Sequence, residues 1–188
     1  GDSLPLILFD EETSEFALTL ITHESRVVKT SDLYFQKVES SNPQEFIFRL
    51  EVPGNNYLDF VYTLQPDNYM MSFDVRGQGL ENMLSMGTTN LDIDWNVKMR
   101  AQERGRKFAN RYAMMQYKFE GDDVEKLSEA KDSHKDITNR LSWVAFKDQF
   151  FAAVLISPEG FTSNELSSHV ESEQSPYIKS YMMRSQAA

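Results

Sequence analysis

The stretch Leu91-Asp92-Ile93-Asp94-Trp95-Asn96-Val97-Lys98-Met99 places an apolar residue at every odd position and a polar or charged one at every even position. A period of two belongs to a β-strand with one face in a core and the other in water; it does not fit an amphipathic helix. The same alternation recurs along the chain. Phe16, Leu18 and Leu20 carry it first. Phe46, Phe48, Leu50 and Val52 carry it up to Pro53-Gly54-Asn55-Asn56, and Leu58, Phe60, Tyr62 and Leu64 carry it away again. These two runs predict a hairpin with a four-residue loop. A second turn, Gln65-Pro66-Asp67-Asn68, leads into a strand expected at 69–76, with further strands expected at 112–119, 140–146 and 150–156. Strands at this spacing, joined by turns, predict a mainly β chain built as an antiparallel sandwich or barrel.

Helix is sparse. Residues 101–110 read as a short helix with Glu103 and Lys107 as an i,i+4 pair, and 163–170 as a second. The charge-rich stretch 122–136 lacks a period and is expected to be a solvated excursion between strands. The segment 172–188 shows no clear pattern and reads as a polar tail, consistent with a fragment of a larger protein.

A chain of 188 residues fits a single domain, 1–188, able to bury roughly 70% of its unfolded surface. It therefore needs neither disulfide nor metal to hold a core. The absence of cysteine removes thiol catalysis, zinc fingers and disulfide staples together. Acidic residues outnumber basic ones 29 to 19, a net charge of −10, so the domain as a whole repels phosphate backbones and no nucleic-acid partner is expected. The longest apolar run, from Phe150 to Ile156, is far shorter than the ~20 residues of a spanning helix. Gly1-Asp2-Ser3 lacks the start of a signal peptide, and the chain as given is expected to be soluble.

Several motifs touch on chemistry. Asp92, Asp94, Asn96 and Glu103 fall at positions one, three, five and twelve of a calcium-loop template, but Val97 stands where the sharp turn needs glycine. A solvated strand face is the expectation, with no metal. Gly77-Gln78-Gly79 lacks the third glycine of a dinucleotide fingerprint and reads as a loop pair, so no cofactor is expected. His23, His134 and His169 are scattered, and no serine sits in a nucleophile elbow, so no catalytic residue is assigned. The basic run Lys98, Arg100, Arg104, Arg106, Lys107 and Arg111 holds six cations against one acid, Glu103, in an acidic chain. It is the candidate docking patch for an acidic partner or for membrane head groups, against the plainer reading of a solvated face. The aromatic-dense stretch from Trp143 to Phe151 is expected to fill a core.

Residues 141–156, Leu-Ser-Trp-Val-Ala-Phe-Lys-Asp-Gln-Phe-Phe-Ala-Ala-Val-Leu-Ile, resemble the late periplasmic signature of the YidC membrane protein insertase family. In that signature a tryptophan with small apolar residues precedes a polar turn, an aromatic pair and a short apolar strand. Residues 60–73 are similar to the family's hairpin, in which a tyrosine, here Tyr69, opens the second strand, and 111–119 resemble the strand between them. The resemblance covers roughly residues 4–180 in the right order. It implies an antiparallel β-supersandwich, galactose mutarotase-like, with one or two short helices, lying in the periplasm as part of an inner-membrane protein. It further implies a non-catalytic binding and scaffolding module whose partners are Sec translocon accessory proteins or membrane-protein clients. The family's working part is a membrane helix bundle that this chain lacks, so no insertase activity of its own is expected. The alternative reading is a carbohydrate-binding or carbohydrate-active β-sandwich, which would need a histidine and a carboxylate converging on a sugar.

Overall fold

The computed structural model describes residues 7–85, 90–102 and 105–187. The elements run β1 (Ser14–Ile21), β2 (Val27–Lys29), a 3-10 turn (Thr30–Asp32), β3 (Gln36–Val38), β4 (Glu45–Val52), β5 (Asn56–Leu64), β6 (Met71–Gln78) and β7 (Leu91–Arg100). They continue with α1 (Arg106–Tyr112), β8 (Met114–Phe119), β9 (Val124–Lys126), β10 (Ser133–Ile137), β11 (Leu141–Lys147), β12 (Ala152–Val170) and β13 (Tyr177–Ala187). Among the described residues, mainly β structure, arranged in two antiparallel sheets with one short α-helix, follows from the alternation. The chain divides into two compact units, one of Gly1–Thr19 with Thr89–Ala188 and one of Leu20–Thr88.

In the first unit the strands follow the order β1-β7-β13-β12-β11-β8-β9, and β10 pairs with β12. One face is apolar. Leu18, Ile93, Trp95, Val97, Tyr181 and Met183 are buried on it, joined by Val144 and Phe146 from β11. The Trp95 and Phe146 rings stack at 3.9 Å although β13 and β12 lie between their strands. β12 pairs with β11 through its first half and with β13 through its second, so it does not stand fully between β11 and β13 at Phe146, and the rings can meet. The opposite face is polar and tied together in register. Asn96 donates to Glu15, Thr19 and Arg184 both donate to Asp94, and Gln186 donates to Asp92. All but the diagonal Thr19–Asp94 bond join directly opposed residues, and polar pairs of this kind stabilise a ladder.

The second unit holds the sheet β3-β4-β5-β6. Its apolar face is aromatic: Phe60 stacks on Phe35 at 4.6 Å, and Phe73 meets both Phe60 and Tyr62. On the other face the buried Asp59 carboxylate accepts two hydrogen bonds from Arg49, its opposite neighbour, each 2.7 Å. A fork of this geometry is what makes a buried carboxylate tolerable.

Five expectations change. The hairpin loop holds three residues, because Val52 pairs with Asn56. The helix begins at Arg106 rather than 101, and Glu103 lies outside the described residues. Residues 163–170 are not a helix but the second half of β12, a 19-residue strand that begins only at Ala152. A bulge between Thr162 and Glu165 and a positive φ of 50° at Ser163 re-aim the strand, after which it pairs with β10 on one side and β13 on the other. Ladder bonds on both edges override a weak local preference. The stretch 122–136 contains β9 and the start of β10, and Leu127 between them is buried with its N–H on the Met115 carbonyl oxygen. The segment 172–188 is no tail: β13 occupies it and lies between β7 and β12. Its alternation was disguised because Lys179 and Ser185 stand at buried positions of that strand.

Candidate functional site

The first unit has a cleft of about 340 Å³, walled by Ala109 of α1, Ile178 of β13, Phe150 and Phe151 of the β11–β12 turn, and Arg100 at the end of β7. Each wall is held by its own local device. The turn is fixed by Asp148, whose Oδ1 accepts the N–H groups of Phe150 at 2.8 Å and Phe151 at 2.7 Å, while its own N–H donates to the Phe151 carbonyl oxygen. An aspartate bonding to the backbone two and three residues on is a standard way to lock a tight turn. The result is two phenyl rings displayed to water, with Phe150 65% and Phe151 40% exposed. The expectation that this aromatic stretch fills a core holds for Val144, Ala145 and Phe146 and fails for these two.

Helix α1 is preceded by Gly105 at φ 97° and has no side-chain N-cap. Arg106 takes over the anchoring. Its guanidinium donates to the carbonyl oxygens of Ser175, Glu171 and Tyr177 at 2.8, 3.1 and 2.6 Å, binding the helix to the β12–β13 turn. With Ala109 turned inward, the exposed side of α1 carries two i,i+4 stripes, Lys107 with Arg111 and Phe108 with Tyr112. The Phe108 and Tyr112 rings lie 4.9 Å apart.

The six-residue basic run is therefore divided by the fold. Lys98 pairs with Glu171 at 3.6 Å, Arg100 with Asp10 at 2.6 Å, and Arg106 is bound to carbonyl oxygens. Arg104 lies outside the described residues. Lys107 and Arg111 are exposed and make no ion pair among the described residues. Asp10 also accepts a hydrogen bond from the Tyr177 hydroxyl at 2.7 Å. That bond, followed by the one from Arg100, holds its carboxyl below the usual aspartate range, and Asp10 in turn raises Arg100.

The remaining motifs have structural uses. Asp92, Asp94 and Asn96 are bound across strands to Gln186, to Thr19 and Arg184, and to Glu15. No group of three or more metal-ligating side chains occurs among the described residues. Gly77 and Gly79 close β6. Gly79, at φ 67°, leaves room for the Asn56 side chain, which a Cβ would meet at 1.8 Å. His23 contacts the Glu81 carbonyl oxygen, His134 faces Asp136, and His169 Nδ1 lies 2.7 Å from Asp132, so the three serve separate places.

Sequence reasoning missed Lys179. Fully buried in β13, its ammonium donates to the carbonyl oxygens of Ala113, just past α1, at 2.5 Å and of Glu129 at 2.8 Å. Burial pushes its pKa down to about 8. No local signal in 172–188 announced it, since a lysine in a polar stretch reads as surface.

The sequence of the YidC periplasmic domain family matches residues 1–188. The membrane protein insertase YidC of Parabacteroides distasonis is 50% identical over 164 residues, covering 87% of this chain and 26% of that protein. Those of Bacteroides fragilis, 37% identical over 180 residues, and Porphyromonas gingivalis, 38% over 183, cover 96% and 97% of the chain and 29% of each relative. The chain thus spans just over a quarter of the length of these relatives. It belongs to the YidC periplasmic domain family, and is a periplasmic domain of an inner-membrane protein rather than a catalytic enzyme.

Proposed function

We propose that this chain is a single non-catalytic domain acting as a binding and scaffolding module in membrane protein insertion and folding. Its partners are Sec translocon accessory proteins or emerging membrane-protein clients, and its two sheets belong to a galactose mutarotase-like supersandwich. The family supports the setting. The observation that carries the binding reading is a preformed apolar cleft that α1 walls with Ala109, the same helix carrying on its exposed side Lys107 and Arg111, which make no ion pair among the described residues. Cavities of this size lined by aromatic and aliphatic side chains, with few polar groups, are the usual form of a binding site. Within the basic run, docking falls to Lys107 and Arg111, with Arg104 adjoining them in sequence, because Lys98, Arg100 and Arg106 already hold the fold together.

Photo-crosslinking in the full-length protein in membranes tests this. A photoreactive residue at Lys107 is expected to give adducts with Sec accessory proteins or a translocating client, whereas one at Glu125 on the β9 edge serves as the control. Equal yields from both positions, or none from Lys107, would remove the binding role of this cleft.

A further inference from the structure

The geometry points to a lipid-docking surface: the Phe150-Phe151 turn and the exposed side of α1 seat the domain on an anionic bilayer surface. This specifies one partner for the docking patch proposed above and rests on the reading of a domain that works beside a membrane. Three independent features support it. The two phenyl rings at the turn are exposed, and the Asp148 carboxylate fixes the backbone that carries them, which lowers the ordering cost of burying them. On α1, Phe108 and Tyr112 form a second exposed aromatic pair beside Lys107 and Arg111. A short amphipathic surface of this composition, aromatic rings flanked by lysine and arginine, matches the boundary between head groups and acyl chains. Finally, Lys107 and Arg111 make no ion pair among the described residues, although the chain carries a net charge of −10.

Charge complementarity selects the occupant. An apolar client segment uses the cleft, whereas the charges of Lys107 and Arg111 call for an anionic occupant. An anionic bilayer surface uses both, its phosphates meeting the cations and its acyl boundary the rings. The acidic remainder of the molecule does not prevent this contact, because at physiological salt charges beyond about 8 Å are largely screened.

Flotation of the purified chain with vesicles tests the inference, folding being checked by near-ultraviolet circular dichroism. The probes are phosphatidylglycerol–phosphatidylethanolamine vesicles and pure phosphatidylcholine vesicles. Binding is expected to the first and not to the second, weakening as salt is raised. Lys107→Gln with Arg111→Gln should weaken it roughly 30-fold, from about fivefold per cation. Phe150→Ser with Phe151→Ser should weaken it while leaving its salt dependence unchanged. These four positions are exposed, so the variants keep the fold. Failure of the wild-type chain to float at low salt, or flotation unchanged in both double variants, overturns the proposal. A chain that ignores vesicles but still crosslinks through Lys107 to a client overturns lipid docking alone. A chain that floats as expected but gives no crosslinks overturns the scaffold reading alone.

Discussion

The buried ammonium of Lys179 on β13 donates to the carbonyl oxygen of Ala113, 66 residues earlier, at 2.5 Å. A second bond to Glu129 makes this one side chain the tie between the sheet, the end of α1 and the β9–β10 connection. In the fold the amine loses its proton near pH 8, whereas in the unfolded chain it does so near 10.5. Between those values the unfolded state binds more protons, so this group's contribution to stability rises with pH and is least favourable below about 8. Unfolding free energies from urea titrations at pH 7.5 to 10 should climb by up to about 3 kcal/mol from this group. Lys179→Met should remove that slope. An unchanged slope in the variant would mean that another group is responsible.

Asp10 works in the opposite range. Bonds from Tyr177 and Arg100 lower its folded pKa, so its contribution is present above the unfolded value near 3.8 and is lost as pH falls below it. Asp10→Asn should reduce the acid sensitivity of the urea midpoint between pH 5 and 3 and leave the trend above pH 6 unaltered. Parallel curves for the two proteins across the acid range would refute the assignment.

Gly160 occupies a φ of 78° inside β12, and a Cβ there would meet Arg140 Cγ at 2.4 Å and the Leu141 carbonyl oxygen at 3.4 Å. The first atom lies one bond beyond Cβ, so the Arg140 side chain must turn about χ1 to make room. Gly160→Ala should cost about 2–4 kcal/mol by combining backbone strain with overpacking. Gly121 has a similar φ of 73° and open space around it, so Gly121→Ala isolates the backbone part at about 1 kcal/mol. Equal losses in thermal denaturation would show that the Arg140 contact carries no weight.

Phe146 is fully buried between Trp95 at 3.9 Å and Tyr181 at 5.2 Å. Phe146→Ala should lower stability by about 3–5 kcal/mol in urea titrations. The near-ultraviolet signal of Trp95 should weaken with it. A loss under 1 kcal/mol would mean that the curved face can collapse around the gap.

Because β13 lies between β7 and β12, removing residues 177–188 exposes two strand edges at once. The shortened chain should lose its cooperative thermal transition and become sensitive to protease. A retained transition would show that β7 and β12 can close on each other.

Alternation alone determined that the chain is built from antiparallel strands, and it located β4, β5, β6, β7, β8 and β11 to within about two residues. That signal is local: a strand with one buried face writes its period directly into the sequence. The ordered motifs also carried the family. What only the tertiary structure decided were the elements whose environment comes from distant residues. The central strand β13 hides its period behind a buried lysine and serine whose partners lie elsewhere in the chain, Ala113 and Glu129 for Lys179 and Asn164 for Ser185. The long strand β12 passes through a proline, a positive-φ glycine and a bulge, each of which reads locally as a stop. The division of the basic run into fold-holding and free cations was equally out of reach. It depends on Asp10, Glu171 and the β12–β13 turn, which meet those side chains only after the sheet has formed.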